Sequence, residues 1–84
     1  MMTKDDKEKF LRLANENRKE LFTIGDIHEG SPPGHLCAVL IYTKDGTVHH
    51  GTYNLVYGYR VKEYTNGEFS HYTEITDIIA YIKN

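Results

Sequence analysis

The segment that decides the fold is 36–51, LCAVLIYTKDGTVHHG. Its first seven residues are a continuous apolar run rich in β-branched and aromatic side chains, which predicts a buried strand. Asp45-Gly46 then predicts a tight hairpin turn, because a type I′ turn needs positive φ at both central positions. The chain returns as a strand over 47–53. A two-residue turn gives these opposed pairs: Thr43 with Val48, Tyr42 with His49, Ile41 with His50 and Val39 with Thr52.

A second turn signal, Asn66-Gly67, predicts another hairpin between strands over 57–65 and 68–73. Its predicted opposed pairs are Tyr64 with Phe69, Lys62 with His71 and Val61 with Tyr72. Gly51 and Gly58 lie within strand-like sequence, where glycine marks a bulge or a sharp bend. Two hairpins in tandem give at least four antiparallel strands, and the bends favour a partly closed barrel.

The N-terminal part has a different pattern. Residues 3–22 predict an amphipathic helix, with Thr3 as its N-cap and acidic residues in its first turn. Its apolar residues recur at helical spacing and form one stripe: Phe10, Leu13, Ala14 and Leu21. Residues 23–34 are rich in glycine and proline, which predicts a loop.

The C-terminal segment 74–83 fits two structures. Its isoleucines are spaced for a helical stripe, yet it is also rich in β-branched and aromatic residues. Thr76-Asp77 can form a single tight turn that leads into a last strand. We expect the turn and the strand, with a helix as the alternative.

These elements predict one domain over 1–84, of the α+β, mostly-β class. We expect an N-terminal amphipathic helix packed on a bent four- to five-stranded antiparallel sheet, or a small SH3-like barrel. The antiparallel unit covers 35–84. A chain of 84 residues can bury one modest core.

Charge and cysteine content exclude several classes of protein. The formal charge is −2, so no strong basic field indicates nucleic acid or an anionic membrane. A single cysteine cannot form an internal disulfide. The N-terminus is charged where a signal peptide is apolar, and no apolar run reaches transmembrane length. We expect a cytoplasmic protein with no membrane partner.

The order of the elements resembles that of the Sm-like proteins (Sm, Lsm and Hfq), a family of small SH3-like barrels. Segment 39–51, with its apolar strand, Lys-Asp-Gly turn and glycine in the second strand, is similar to the family's first motif. Segment 75–82 is loosely similar to the second motif. The resemblance spans about half of the chain. It implies a small barrel.

The residues that form the family's RNA pocket have no counterpart here. The family places an aspartate and an asparagine a few residues after the bend glycine. The span 52–61 holds no aspartate, and Asn54 comes too early. The resemblance therefore implies the fold without the RNA site.

No catalytic or metal-binding pattern is present in the sequence. His49 and His50 are adjacent, so a regular strand directs them to opposite faces. His35 and Cys37 share a face and could join His50 or His71 around zinc, but their spacing matches no known zinc pattern. No nucleophile motif, phosphate loop or dinucleotide fingerprint is found. We expect no metal, no cofactor and no catalytic residue.

The seven tyrosines are the most unusual feature of the composition. Along 53–61, alternate residues of an extended strand share one face: Tyr53, Leu55, Tyr57, Tyr59 and Val61. A stripe that points inward is core. A stripe that points outward is an interaction surface, because tyrosine is enriched at interfaces. Both alternatives stay open from the sequence.

The candidate interaction surface consists of the aromatic and basic residues of this region: Tyr57, Tyr59, Tyr64, Phe69, Arg60 and Lys62. Such residues could stack on bases and contact phosphates. However, 35–84 carries four basic and five acidic residues, which disfavours a phosphate-driven site. We therefore expect a non-enzymatic adaptor or inhibitor that contacts another protein or another copy of itself, by analogy with mobile-element accessory proteins. The alternative is an Sm-like oligomer that binds single-stranded nucleic acid.

Overall fold

The computed structural model describes residues 2–84. It contains one α-helix, α1 (Lys4–Asn15), a short 3-10 helix (Ile24–Asp26) and five strands. The strands are β1 (Cys37–Thr43), β2 (Val48–Asn54), β3 (Gly58–Thr65), β4 (Glu68–Glu74) and β5 (Ile78–Lys83). They form one antiparallel sheet in the order β4-β3-β2-β1-β5. This confirms the predicted α+β, mostly-β class.

Strand β1 lies between β2 and β5, and both of its faces are buried over 39–43, as its continuous apolar run predicts. On one face Leu40 and Tyr42 pack under α1, and Phe10 stacks on Tyr42 with ring centroids 5.0 Å apart. The members of this helix-side cluster are Met2, Phe10, Ala14, Leu40, Tyr42, Ala80 and Ile82. On the other face Val39 and Ile41 form a second cluster with Tyr81. Each fully buried side chain of this size contributes about 1.5–3 kcal/mol.

The sheet is strongly bent. Tyr59 on β3 and Tyr81 on β5 have ring centroids only 6.3 Å apart, although β2 and β1 lie between their strands. In a flat sheet, three strand spacings would separate them by roughly 14 Å. β4 and β5 lie at opposite edges of the sheet and do not pair within residues 2–84, so the shape is a bent open sheet rather than a closed barrel.

The helix is shorter than the predicted 3–22. Its start is as predicted, because the Thr3 hydroxyl accepts a hydrogen bond from the Asp6 amide. It ends at Asn15, and Asn17 adopts a left-handed conformation with φ 61°, which asparagine tolerates better than most residues. Leu21 is consequently 65% exposed and does not belong to the apolar stripe.

The first hairpin has the predicted position but not the predicted register. Tyr42 opposes Val48 rather than His49, and the other three predicted pairs shift by one residue in the same way. The reason is the turn type. Only Gly46 has positive φ (82°), so Lys44–Gly46 form a three-residue turn with glycine in its left-handed position.

A third hairpin interrupts the predicted continuous stretch 53–61. Asn54 opposes Gly58, so the chain reverses over 55–57. The Asn54 carboxamide oxygen accepts hydrogen bonds from the amides of Val56 (2.8 Å) and Tyr57 (3.2 Å), and Gly58 has φ 76°. The Asn54 side chain thus caps a turn that interrupts the predicted stripe. As a result, Tyr53 on β2 lies directly opposite Tyr59 on the neighbouring strand β3.

The hairpin at Asn66-Gly67 is confirmed, with Tyr64 opposite Phe69 as predicted. Beyond that pair the register shifts by one residue, since Ser70 is unpaired in a β-bulge of β4. Lys62 therefore opposes Tyr72, and Val61 opposes Thr73. The predicted pairs Lys62 with His71 and Val61 with Tyr72 are wrong for this reason.

The C-terminal segment forms the predicted strand, not a helix. Asp77, with φ 57°, makes the tight connection, and β5 then pairs with β1. The loop over 23–34 covers the outer edge of β5. His28 and Tyr81 exchange two backbone hydrogen bonds of 2.9 and 3.0 Å, and their rings stack at 5.0 Å.

Candidate interaction surface

An exposed row of aromatic rings crosses β3, β4 and the β2–β3 turn. The exposed fractions are 57% for Tyr57, 60% for Tyr64, 51% for Phe69 and 40% for Tyr72. Arg60 lies between two of these rings. We call the five residues Tyr57, Arg60, Tyr72, Phe69 and Tyr64 the aromatic ladder.

Neighbouring members of the aromatic ladder are in contact. The guanidinium carbon of Arg60 lies 4.4 Å from the ring centroid of Tyr57 and 3.9 Å from that of Tyr72. Tyr72 and Phe69 pack edge to face at 5.0 Å, and Phe69 and Tyr64 do the same at 6.4 Å. Both arrangements suit the quadrupoles of aromatic rings. The ladder is therefore a preformed surface whose rings hold one another in place.

The β-bulge in β4 assembles the ladder. Phe69 and Tyr72 are three residues apart, an odd separation that puts side chains on opposite faces of a regular strand. The unpaired Ser70 restores them to one face. Arg60 and Tyr64 are an even number of residues apart on β3 and share that face.

Arg60 has no ionic partner among the described residues. Within residues 2–84 the only ion pair closer than 4.0 Å joins Lys7 and Glu29. The Arg60 Nε is buried and has no hydrogen-bond partner among the described residues. Tyr57 and Tyr72 contact the guanidinium instead, and such cation–π contacts are worth about 0.5–2 kcal/mol.

Of the six sequence-predicted residues, Arg60, Lys62, Tyr64 and Phe69 lie on this face of β3 and β4, and Tyr57 adjoins it in the β2–β3 turn. Tyr59 does not. Lys62 is exposed on β3 between Arg60 and Tyr64. Tyr59 turns to the opposite face, where its ring packs at 4.9 Å from Tyr53 and near Tyr81. Burial, reinforced by these two tyrosines, raises the pKa of Tyr59 to about 12.

Sequence reasoning missed Tyr72. In the predicted register it opposed Val61, with no contact to Arg60. The bulge moves it opposite Lys62 and beneath the Arg60 guanidinium. The sequence of β4, EFSHYTE, carries no glycine or other signal for that bulge.

The seven tyrosines divide between the two alternatives. Tyr42 and Tyr81 are buried, and Tyr53 and Tyr59 are half-buried. The exposed members are Tyr57, Tyr64 and Tyr72. The tyrosine content therefore serves both core and surface.

β4 is the uncovered edge of the sheet. All seven of its residues are exposed, and none of the described residues pairs with its outer side. The opposite edge, β5, is covered by His28. An uncovered strand presents a row of free backbone donors and acceptors that can pair with another chain.

A polar network surrounds the turn of the first hairpin. Asp45 Oδ1 accepts hydrogen bonds from the hydroxyls of Thr43 (2.5 Å) and Thr47 (2.7 Å). These bonds lower the pKa of Asp45 to about 2. His49 Nε2 lies 3.0 Å from the Thr47 hydroxyl. A threonine hydroxyl thus lies between the carboxylate and the imidazole, and these contacts stabilise the turn.

The residues raised as metal candidates are not assembled into a cluster. Across residues 2–84, no group of three or more histidine, cysteine or acidic side chains is placed to hold a metal ion. In the same range no helix has both the length and the apolar character needed to cross a membrane.

Comparison of the chain with protein-family models, with curated proteins and with solved structures gives no match.

Proposed function

We propose that this protein is a non-catalytic binding protein that acts in the cytoplasm, as an adaptor or inhibitor, by contact with another protein. The observation that carries the proposal is the aromatic ladder. It places an arginine, three tyrosines and a phenylalanine in mutual contact on an exposed face. Tyrosine and arginine are the residues most enriched at the energetic centres of protein interfaces.

The preformed packing of the ladder supports this proposal. Side chains that are already held by their neighbours lose little conformational freedom when a partner covers them. Phe69 touches both Tyr64 and Tyr72, and Arg60 touches both Tyr57 and Tyr72. These side chains are therefore already ordered in the folded chain, and partner binding costs them little further conformational entropy.

The β4 edge supports the same proposal. Phe69 and Tyr72 belong to this strand, so a partner strand paired to β4 would lie beside the ladder. Main-chain hydrogen bonds would supply affinity, and the aromatic side chains would supply specificity. A second copy of the chain is one such partner.

The test compares the parent protein with two surface variants in quantitative capture of a partner. Tyr64→Ala and Tyr72→Ala each remove an exposed ring of the ladder, and we expect each to weaken capture by more than about 1 kcal/mol, or fivefold. Leu21→Ala is the matched control, because Leu21 is 65% exposed and lies outside the ladder. Equal capture by all four proteins would refute the proposal, provided that circular dichroism shows all of them folded.

Single-stranded nucleic-acid binding is the second candidate, supported by the basic residues Arg60 and Lys62 beside exposed rings. The engagement of Tyr57 and Tyr72 with Arg60 disfavours it, because base stacking needs free ring faces. Titration with a labelled oligonucleotide at two salt concentrations separates the candidates. Phosphate contacts predict binding that falls steeply with salt, whereas the protein-contact proposal predicts no binding to the oligonucleotide.

A further inference from the structure

A small pocket beside the aromatic ladder collects positive charge. It has a volume of about 270 Å³ and is lined by His50, Gly51, Thr52, Arg60, Lys62 and Tyr64. Two of these residues are formal cations, and none carries a carboxylate. We propose that this pocket binds the side-chain carboxylate of a single aspartate or glutamate of the partner protein. The proposal rests on the proposed function and names the chemistry of the partner.

The N–H donors of Arg60 have no carboxylate partner among the described residues. Its guanidinium contacts two aromatic rings, and such contacts use the face of the planar group. The N–H donors lie in the plane, where they can meet the two oxygens of a carboxylate. No carboxylate of residues 2–84 lies within 4.0 Å of Arg60 or Lys62, although Glu74 opposes Arg60 in the register. The pocket thus holds cationic donors that the fold itself does not use.

The surroundings of the pocket favour a single carboxylate over a chain of phosphates. On β4, Glu74 opposes Arg60 in the register and lies on the same face as Tyr72. A polyanion that extended from the pocket past Arg60 onto β4 would meet this carboxylate and be repelled, whereas a polypeptide would bring one negative charge into the pocket. Charge complementarity of this local kind fixes which partner binds.

Tyr64 gives the pocket an aromatic wall that favours apolar neighbours of the bound acidic residue. It lines the pocket and is also the last ring of the aromatic ladder. A bound acidic side chain would therefore have an apolar neighbour in the partner that packs on Tyr64 and Phe69. The partner segment that fits is an acidic residue flanked by aromatic or large apolar residues.

The experiment is an NMR titration of the ¹⁵N-labelled 84-residue chain at low salt with three probes. The first is the blocked tripeptide acetyl-Tyr-Glu-Tyr-amide, and the second is acetyl-Tyr-Gln-Tyr-amide, which has the same shape without the charge. The third is a thymidine trinucleotide. The readouts are the Arg60 Nε–H resonance and the backbone amides of Gly51 and Thr52, which report on the pocket directly.

We expect saturable shifts of these resonances with the glutamate peptide and none with the glutamine peptide. Lys62→Gln should weaken glutamate-peptide binding about fivefold, the upper range for an exposed ion pair. Lys83→Gln, at the exposed end of β5, is the matched control and should leave binding unchanged. Lys62 is used because it is exposed, so that its replacement leaves the fold intact.

Three outcomes overturn the inference. They are the absence of pocket shifts with the glutamate peptide, equal shifts with both peptides, and tighter binding of the trinucleotide than of the glutamate peptide. The two experiments distinguish a failure of this inference from a failure of the proposed function. If Tyr64→Ala abolishes partner capture while the glutamate peptide does not bind, the interaction surface stands and its acidic partner does not.

Discussion

The carbonyl oxygen of Arg60 lies so close to Gly51 that no side chain could be added at residue 51 without overlap. A β-carbon there would also approach the Ile41 Cδ1 atom to 3.2 Å. This close approach lets β3 pack against β2 where the sheet bends. Arg60 thus takes part in the bend through its backbone and in the interaction surface through its side chain.

Gly51→Ala is expected to destabilise the protein by roughly 3 kcal/mol, because the added methyl group overlaps backbone that cannot move independently. Urea unfolding followed by circular dichroism measures the change. Gly30→Ala is the control, since a β-carbon at Gly30 meets nothing within 4 Å. Similar unfolding midpoints for the two variants would show that the contact is not restrictive.

Asn15→Ala is expected to lower the free energy of unfolding by about 1–2 kcal/mol. The Asn15 side chain donates to the Phe22 carbonyl oxygen (3.1 Å) and accepts from the Phe22 amide (2.7 Å), so its removal leaves two backbone groups without partners. Thermal unfolding of Asn15→Ala and of Asn17→Gly, which keeps the left-handed position, provides the comparison. The prediction fails if Asn15→Ala is as stable as the parent.

Asp45→Asn is expected to reduce stability at neutral pH and to lose this effect in acid. Hydrogen bonds from Thr43, and then from Thr47, lower the pKa of Asp45 from 3.8 to about 2 in the folded protein. A lowered folded pKa contributes stability above about pH 3.8 that disappears as the pH falls toward 2. Urea unfolding at several pH values should show the parent and variant curves converging below pH 3.8. Glu68→Gln, at an exposed position of β4, is the control, and a constant difference between parent and Asp45→Asn would contradict the assignment.

Tyr59→Phe is expected to flatten the loss of stability in alkali. Burial raises the pKa of Tyr59 from 10.0 to about 12, so the folded state favours the protonated phenol. This stabilisation is complete below pH 10 and is lost as the pH rises toward 12. Unfolding measured between these pH values should show a smaller slope for Tyr59→Phe than for the parent. The control is Tyr64→Phe, which removes a hydroxyl from a ring that is 60% exposed. If both variants lose stability as steeply as the parent, Tyr59 does not carry the effect.

The elements that depend on local pattern could be predicted from the sequence. The apolar run at 36–42 predicts the buried strand β1, Thr3 caps the helix, and the turns at Gly46 and Gly67 are hairpin turns. These features follow from side-chain periodicity and backbone conformational preference, which act over a few residues.

The interaction surface could be predicted only in part, because register depends on single residues. Arg60 and Tyr64 share one face of β3, as strand alternation predicts. Tyr57 was predicted on the opposite face with Tyr59, and the turn at 55–57 brings it to Arg60 instead. Tyr59 was predicted on the interaction surface but packs on the opposite face, after the turn at 55–57. Tyr72 was not predicted there, and the bulge at Ser70 brings it into the aromatic ladder. A shift of one residue moves a side chain to the other face of a strand.

The sequence by itself determined the mostly-β class, the central buried strand and the two glycine hairpins, because each depends on neighbouring residues. Only the tertiary structure decided where the helix ends, since Asn15 finds its partner in Phe22 after the chain has turned back. Only the tertiary structure decided the aromatic ladder, since the bend, the bulge and the strand register all depend on contacts between different strands. Such contacts form between residues distant in sequence, and no local pattern encodes the distance between them.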